Sequence, residues 1–337
     1  MKKALWIVIL MLAAAIIPTR SVLAEPDKKP ELTGWLVDDP GSWRSFEKNI
    51  KLITRVSPHW YSCDANGSAV RAKEATPESR KKTVDLAHRN GVKVIALTSN
   101  FAGDWDAVRV EKFLASAAKM TKHAKTLVEM TKADGGDGID LDYELLKAGD
   151  RNNYSQFVEI MAKECHKQGL LLAVALHPKI SEPGDWDGAQ AQDWKRLGAV
   201  VDFLQPMCYD MHWATSEAGP IAPLDWTKKV LDLALKMAPA RKIELGVPAY
   251  GYDWKGKTSI SYTWKEFKVF MKKHPSVKRD PKTNELTLKY DGRETWFVDS
   301  KSLGPKFDLA KEKHIRGLGF WRLGGEDPGF WDVVRKQ

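Results

Sequence analysis

Cysteine is scarce in this chain: Cys63, Cys165 and Cys208 are the three in 337 residues. Three thiols permit one bridge at most, which excludes a disulfide framework, and their spacing fits no zinc motif. The eight histidines form no H-E-x-x-H or comparable ligand pattern, so neither a metal nor a cofactor is expected. Also missing are a Gly-rich phosphate loop after an early strand, a run of basic residues and an RNP-like aromatic cluster. Nucleic acid is therefore not an expected partner. There is no internal repeat or low-complexity tract, and no apolar run beyond the N-terminus is long enough to cross a bilayer. Acidic residues are in slight deficit, 44 against 53 Lys and Arg, for a net charge of +9. Such an excess favours anionic polymers, cell-wall material among them.

What is present begins with Lys2 and Lys3, followed by the apolar run Ala4 to Ile17, Pro18 and then Ser21-Val22-Leu23-Ala24. A short basic start, an apolar stretch below the ~20 residues of a membrane span and small residues before a cut describe a secretory signal peptide. Cleavage is expected after Ala24, giving segments 1–24 (signal), 25–31 (polar linker) and 32–337 (mature domain), with no stable membrane insertion afterwards. The expected destination is export to periplasm, wall or medium.

Apolar runs then alternate with longer amphipathic ones. Eight runs read as strands: 34–37, 52–57, 92–97, 138–141, 170–176, 200–207, 243–247 and 317–321. Helical patterns separate them, at 110–132, 154–167 and 224–237 for example. Val-, Ile- and Leu-rich strands joined by helices argue for a parallel sheet buried on both faces. Eight such units in roughly 300 residues fit an α/β fold of the (β/α)8 barrel type; the alternative, a doubly wound open sheet, normally carries the phosphate loop that is missing. About seventy residues part the seventh strand from the eighth. They hold a helical pattern at 262–272 and strand-like pieces at 285–290 and 295–298 split by Asp291-Gly292, a hairpin signal. A small α+β insertion over 253–298 is expected there, ahead of a helix at 302–313.

The densest chemistry lies in Asp137-Gly138-Ile139-Asp140-Leu141-Asp142-Tyr143-Glu144. Alternate strand residues share a face, so Asp140, Asp142 and Glu144 point one way, and inside a parallel barrel that way is inward. Three acids aimed into a core cannot all ionise cheaply; at least one proton is shared and at least one pKa is raised. A carboxylic acid kept protonated near neutral pH is what general acid catalysis needs. A calcium loop would place ligands at positions held by Ala133 and Gly135, and a solvated acidic loop would not alternate with Ile139, Leu141 and Tyr143.

This octapeptide resembles the D-G-x-D-x-D-x-E signature of glycoside hydrolase family 18, the chitinase-like (β/α)8 enzymes. Gln205-Pro206-Met207-Cys208-Tyr209-Asp210 is similar to the family's sixth-strand M-x-Y-D segment, and Trp321 to the Trp that closes the sugar pocket from the eighth strand. Val56 to Tyr61, Thr98-Ser99-Asn100-Phe101 and Gly317 to Asp327 resemble the subgroup of spore-cortex and germination N-acetylglucosaminidases. Those enzymes usually carry LysM wall-binding repeats, which this sequence lacks. The matches span about 34–331.

The resemblance implies a substrate-assisted glycosidase acting on N-acetylglucosamine-containing glycan. It makes Glu144 the acid, Asp142 the holder of the acetamido group, Asp140 the partner sharing its proton, and Tyr209 the donor that fixes the acetamido carbonyl. It makes Trp321 a stacking floor. Met207 and Gln205 share Tyr209's face of the sixth strand; with Asp210 and Asn100 they are further substrate-binding candidates. Trp35, Trp60, Trp213 and Trp254 fall at or after predicted strand ends, and two of the four are expected to line a glycan cleft. His177, before Pro178, reads as a hydrogen-bonded structural residue. Peptidoglycan is the first expected polymer and chitin the second. A non-catalytic lectin on the same barrel is the competing function, and a metal-dependent deacetylase lacks its ligand set.

Overall fold

The computed structural model describes residues 29–337; the expected signal peptide and residues 25–28 of the linker lie outside the described residues. Eight parallel strands form the centre: β1 (Glu31–Leu36), β2 (Arg55–Cys63), β3 (Lys93–Ser99), β4 (Gly138–Asp142), β5 (Leu171–Leu176), β6 (Phe203–Pro206), β7 (Glu244–Pro248) and β8 (Gly317–Trp321). They are hydrogen-bonded in the order β6-β5-β4-β3-β2-β1-β8-β7. Two isolated parallel bridges, Leu204 to Ile243 and Met207 to Gly246, join β6 to β7. First strand pairs with last and sequence neighbours pair throughout, so the sheet is a nearly closed (β/α)8 barrel and not an open doubly wound sheet. Both faces are covered: Val94, Ile95, Ala96 and Leu97 of β3 are all buried, which is why its hydrophobic run is continuous and does not alternate.

Boundaries shift for identifiable reasons. β1 starts at Glu31, inside the expected linker, because its ladder with β8 begins at the Glu31–Gly317 pair. The helical pattern over 110–132 is two helices, Ala107–Leu114 and Ala117–Ala133. Ser116 divides them by capping the second, its side chain accepting from the Lys119 N–H, a bond that a continuous helix would forgo.

The insertion follows β7. Five antiparallel strands run in the order Thr258–Tyr262, Gly251–Lys255, Arg293–Phe297, Leu286–Tyr290, Lys278–Arg279. The helix Trp264–Lys273 packs on them through Phe267, Phe270 and Phe297, a core separate from that of the barrel. Asp291 (φ 44°) and Gly292 (φ 71°) both adopt left-handed backbone, the geometry of a two-residue hairpin turn that Asp-Gly favours. The helix Ser300–Glu312 then leads into β8.

Inside the barrel two polar layers are stacked. At the N-terminal ends of the strands, the Arg55 guanidinium bonds the carboxylates of Glu31 and Glu244 and, at 3.0 Å, the Thr33 hydroxyl. Gln205 Nε2 donates to Glu244 at 2.9 Å. The second layer lies toward the C-terminal ends, the face on which barrels of this type carry their sites.

Candidate active site

β4 directs Asp140 and Asp142 inward by the two-residue period of a strand. Asp140 is fully buried, and its Oδ2 accepts from the Trp35 indole N–H at 2.9 Å and from the Ser57 hydroxyl at 2.7 Å. Trp35 and Ser57 face each other in the β1–β2 ladder, so one register delivers both donors. The indole fits because β8 has no side chain at Gly319, where a Cβ would come within 2.7 Å of the Trp35 ring. The Oδ1 atoms of Asp140 and Asp142 are buried with no hydrogen-bond partner.

Glu144 lies two residues beyond β4, at the barrel mouth. Asn100, buried at the end of β3, clamps its main chain from both sides: Nδ2 donates to the Glu144 carbonyl and Oδ1 accepts the Glu144 N–H, each at 2.9 Å. Leu145 next takes a positive φ of 55°, which lets its N–H donate to His177 Nε2 at 3.3 Å. His177 Nδ1 stands 3.7 Å from Glu144 Oε2, and the Glu144 side chain keeps 18% of its surface exposed. Of the three acids, Glu144 is the one most open to solvent.

Tyr209 follows β6. Gly246 of β7 makes room for its ring, since a Cβ there would lie 3.2 Å from Tyr209 Cε1. Asp210, also at positive φ (55°), accepts from the Tyr250 hydroxyl at 2.6 Å and faces that of Tyr252 at 3.4 Å. Burial pushes the Asp140 carboxyl up to about 6 and that of Asp210 to about 6. Asp142 is raised by burial and by the Asp140 charge beside it. Glu144 is raised well above the ordinary range by burial and by Asp142 and Asp210. The Tyr209 phenol is pushed upward by burial and by all four of these carboxylates, so one field spans β4, its following loop and the β6 loop. Such a set holds protons at neutral pH and titrates as a group.

The sequence pattern of glycosyl hydrolases family 18 matches residues 38–326. The chain belongs to glycosyl hydrolases family 18. It is accordingly a glycosidase of that family. Among its relatives, the uncharacterized glycosylase YvbX of Bacillus subtilis is 26% identical over 349 aligned residues, covering 100% of this chain and 99% of the relative. The cortical fragment-lytic enzyme of Bacillus subtilis is 30% identical over 229 residues, 63% of this chain; the match spans about half, 52%, of that longer protein. Among solved structures, a chitinase from Chromobacterium violaceum superposes with a TM-score of 0.84 at 26% identity, covering 91% of this chain and 98% of its own. The Bacillus cereus spore cortex-lytic enzyme SleL, at 22% identity, shares the fold, with a TM-score of 0.82 over 92% of this chain and 74% of its own.

Within this family 18 barrel, Asp140, Asp142, Glu144, Tyr209 and Asp210 lie near enough for their charges to bear on one another. Other candidates are placed differently. Trp35 is 2% exposed and its N–H is committed to Asp140, so it supports the carboxylate layer from below and presents no face to a sugar. Trp321, partly exposed, meets Trp35 at 6.2 Å between ring centroids. Trp60 is buried in the core, edge-on to Tyr61, at the point where the register of β2 with β3 shifts between His59 and Tyr61. Gln205 is buried and bound to Glu244 in the lower polar layer, too deep for substrate. Met207 is buried in the hydrophobic core. Asn100 is buried, and its amide holds the Glu144 backbone through both its nitrogen and its oxygen. Trp254 is buried and donates to the Trp213 carbonyl at 3.1 Å, whereas Trp213 itself is 52% exposed. Ser57, Tyr250 and the Glu144-facing position of His177 escape a sequence reading because distant strands bring them in; the register of β1 with β2 is the signal that would have found Ser57.

Proposed function

We propose that the protein is an exported, retaining hydrolase that cleaves β-1,4 bonds beside N-acetylglucosamine by substrate-assisted catalysis, with peptidoglycan the favoured polymer and chitin the second. One observation carries the reading: a buried Asp140–Asp142 pair with two orphan Oδ1 atoms leads directly to a raised, partly exposed Glu144, and Tyr209 sits in the field of all three. Protonated Glu144 gives its proton to the departing glycosidic oxygen. The substrate's 2-acetamido carbonyl oxygen attacks the anomeric carbon, and an oxazolinium ion forms with the chain's own carboxylates uninvolved in the covalent bond. A proton between the orphan oxygens of Asp140 and Asp142 satisfies both; Asp142 turns toward the acetamido N–H and offsets the developing positive charge. The Tyr209 hydroxyl fixes the acetamido oxygen in line for attack, a positioning effect. Ionised Glu144 then takes a proton from water, which opens the oxazolinium on its original face and returns the enzyme to its starting state.

Trp321 at the mouth, with Trp35 beneath it, supplies an apolar floor for a pyranose ring. The polymer preference rests on the cortical fragment-lytic relative and on a net charge that is still +6 once residues 1–24, with Lys2, Lys3 and Arg20, are removed; the second place of chitin rests on the Chromobacterium chitinase. Export rests on residues 1–24 of the sequence. The test is digestion of purified peptidoglycan and chitooligosaccharides by residues 25–337 and by Glu144→Gln, with reducing ends identified by mass spectrometry. N-acetylglucosamine-ended fragments are expected from peptidoglycan, with turnover of the variant reduced about a thousandfold or more. Binding without cleavage by the wild type would make the protein a lectin, and near-normal turnover by Glu144→Gln would remove Glu144 as the acid.

A further inference from the structure

The loop after β5 contains a buried histidine that the proposed reaction leaves unused. His177 directly follows Leu176, the last residue of β5. Its main-chain N–H donates to Gln192 Oε1 at 2.7 Å, and its ring stands edge-on to Trp186 with centroids 4.5 Å apart. Two residues on, the buried Lys179 ammonium is tied to the carbonyls of Pro183, Ala189 and Gln192 and to the Glu182 carboxylate. The loop is held from beneath, and the imidazole is held with it.

The two ring nitrogens face different partners. Nε2 accepts the Leu145 N–H at 3.3 Å, so it must offer a lone pair. Burial and the nearby Lys179 charge push the imidazole down to about 3, which keeps the ring neutral at working pH. A neutral imidazole with its lone pair on Nε2 carries its proton on Nδ1. Nδ1 is 3.7 Å from Glu144 Oε2. That is longer than a hydrogen bond, but catalytic contacts in substrate-free sites commonly shorten once substrate is seated. The other charged groups that bear on Glu144, Asp142 from β4 and Asp210 from the β6 loop, both oppose its ionisation. The Nδ1–H dipole favours it.

We propose that His177 is a positioning residue for Glu144: locked in the Nδ1–H tautomer by Leu145, it directs that proton to Oε2, orients the carboxyl group, and leaves Oε1 as the oxygen that gives and takes the catalytic proton. This rests on the reading of Glu144 as the acid and base. It assigns His177 no bond to substrate and no proton transfer of its own.

Two substitutions separate this role from simple support of the loop. In His177→Asn the amide nitrogen falls near the place of Nδ1, which keeps a donor for Glu144 and removes the acceptor for Leu145. In His177→Gln the amide oxygen falls near the place of Nε2, which keeps the acceptor and removes the donor. The expected result is that Gln lowers kcat about tenfold with KM within about twofold. The alkaline limb of its kcat profile should also move up by about half a pH unit, because the carboxylate has lost a donor. Asn should keep the wild-type limb. The opposite pattern, or equal losses with unchanged pH profiles, would show that the ring merely holds Leu145 and overturn the proposal. A second measurement needs no variant: the imidazole 15N shifts of the wild-type protein should show an acceptor-type Nε2 and a protonated Nδ1, and the reverse tautomer would overturn it. That spectrum is read whether or not any glycan is cleaved, so its failure is distinct from a failure of the Glu144 reading.

Discussion

Asp142 illustrates how far a single side chain can be read. Its inward direction follows from the period of the strand, and its raised pKa from burial beside Asp140. The unfolded chain releases that proton near pH ~4, while the folded protein keeps it to higher pH. Between those values the native state binds more protons than the unfolded state, so stability falls as pH rises through the window. Asp142→Asn removes the titration. It should therefore abolish turnover and yet melt about 2–4 °C above the wild type at pH 8, with the gap closing toward pH 4. Calorimetry at the two pH values checks this; a lower melting temperature at pH 8 would mean that Asp142 is ionised and paired in the native protein. The supporting residues were not legible in the same way. Ser57, His177 and Tyr250 reach the site through three different strand registers, and no local pattern in the sequence encodes which distant residue a strand will face.

At the scale of elements, the strands and the insertion were legible because each carries a local signal, while their joints were not. Asp291-Gly292 announced the hairpin. Nothing announced that Glu285, at its start, would reach across to the β6 loop and accept the N–H groups of Ile221 and Ala222 at 2.8 Å each. Glu285 is fully buried, as is Lys306 of the helix Ser300–Glu312, and the two charges attract each other: each is shifted by burial and partly restored by the other. The insertion is thus fastened to the loop that carries Tyr209 and Asp210. Glu285→Ala strands two amides and removes the opposing charge near the buried Lys306 ammonium, which keeps its bond to the Ser302 carbonyl at 3.3 Å, and should destabilise the protein by about 2–4 kcal/mol. Glu285→Ala with Lys306→Met, which discards the stranded charge, should recover part of that loss. Urea midpoints of the two proteins test the pair; a double variant no more stable than the single one would show that Lys306 does not depend on Glu285.

For the whole molecule, the question is what closes the ring. Seven of the junctions are regular strand ladders, but β6 and β7 meet through two isolated bridges. The lower polar layer spans that weak seam. Gln205 of β6 binds Glu244 of β7, Glu244 binds Arg55 of β2, and Arg55 binds Thr33 and Glu31 of β1. Arg316, just ahead of β8, also bonds Glu31 at 3.2 Å, and both guanidinium groups lie over the Phe203 ring at 4.5 and 5.0 Å. Four strands, and through Arg316 the entry to β8, are joined by one largely buried network where backbone pairing is thinnest. The same layer reaches the chemistry above it, because the Glu244 charge contributes to holding the Asp140 carboxyl up. Glu244→Ala removes the acceptor of Gln205 and one partner of a buried charge, a change that typically costs about 3–5 kcal/mol. Because the seam has few backbone bonds in reserve, hydrogen exchange should accelerate first in residues 203–206 and 244–248, while β3 and β4 stay protected up to global unfolding. Uniform loss of protection around the barrel would instead place Glu244 in the general stability of the fold and leave the closure to the backbone alone.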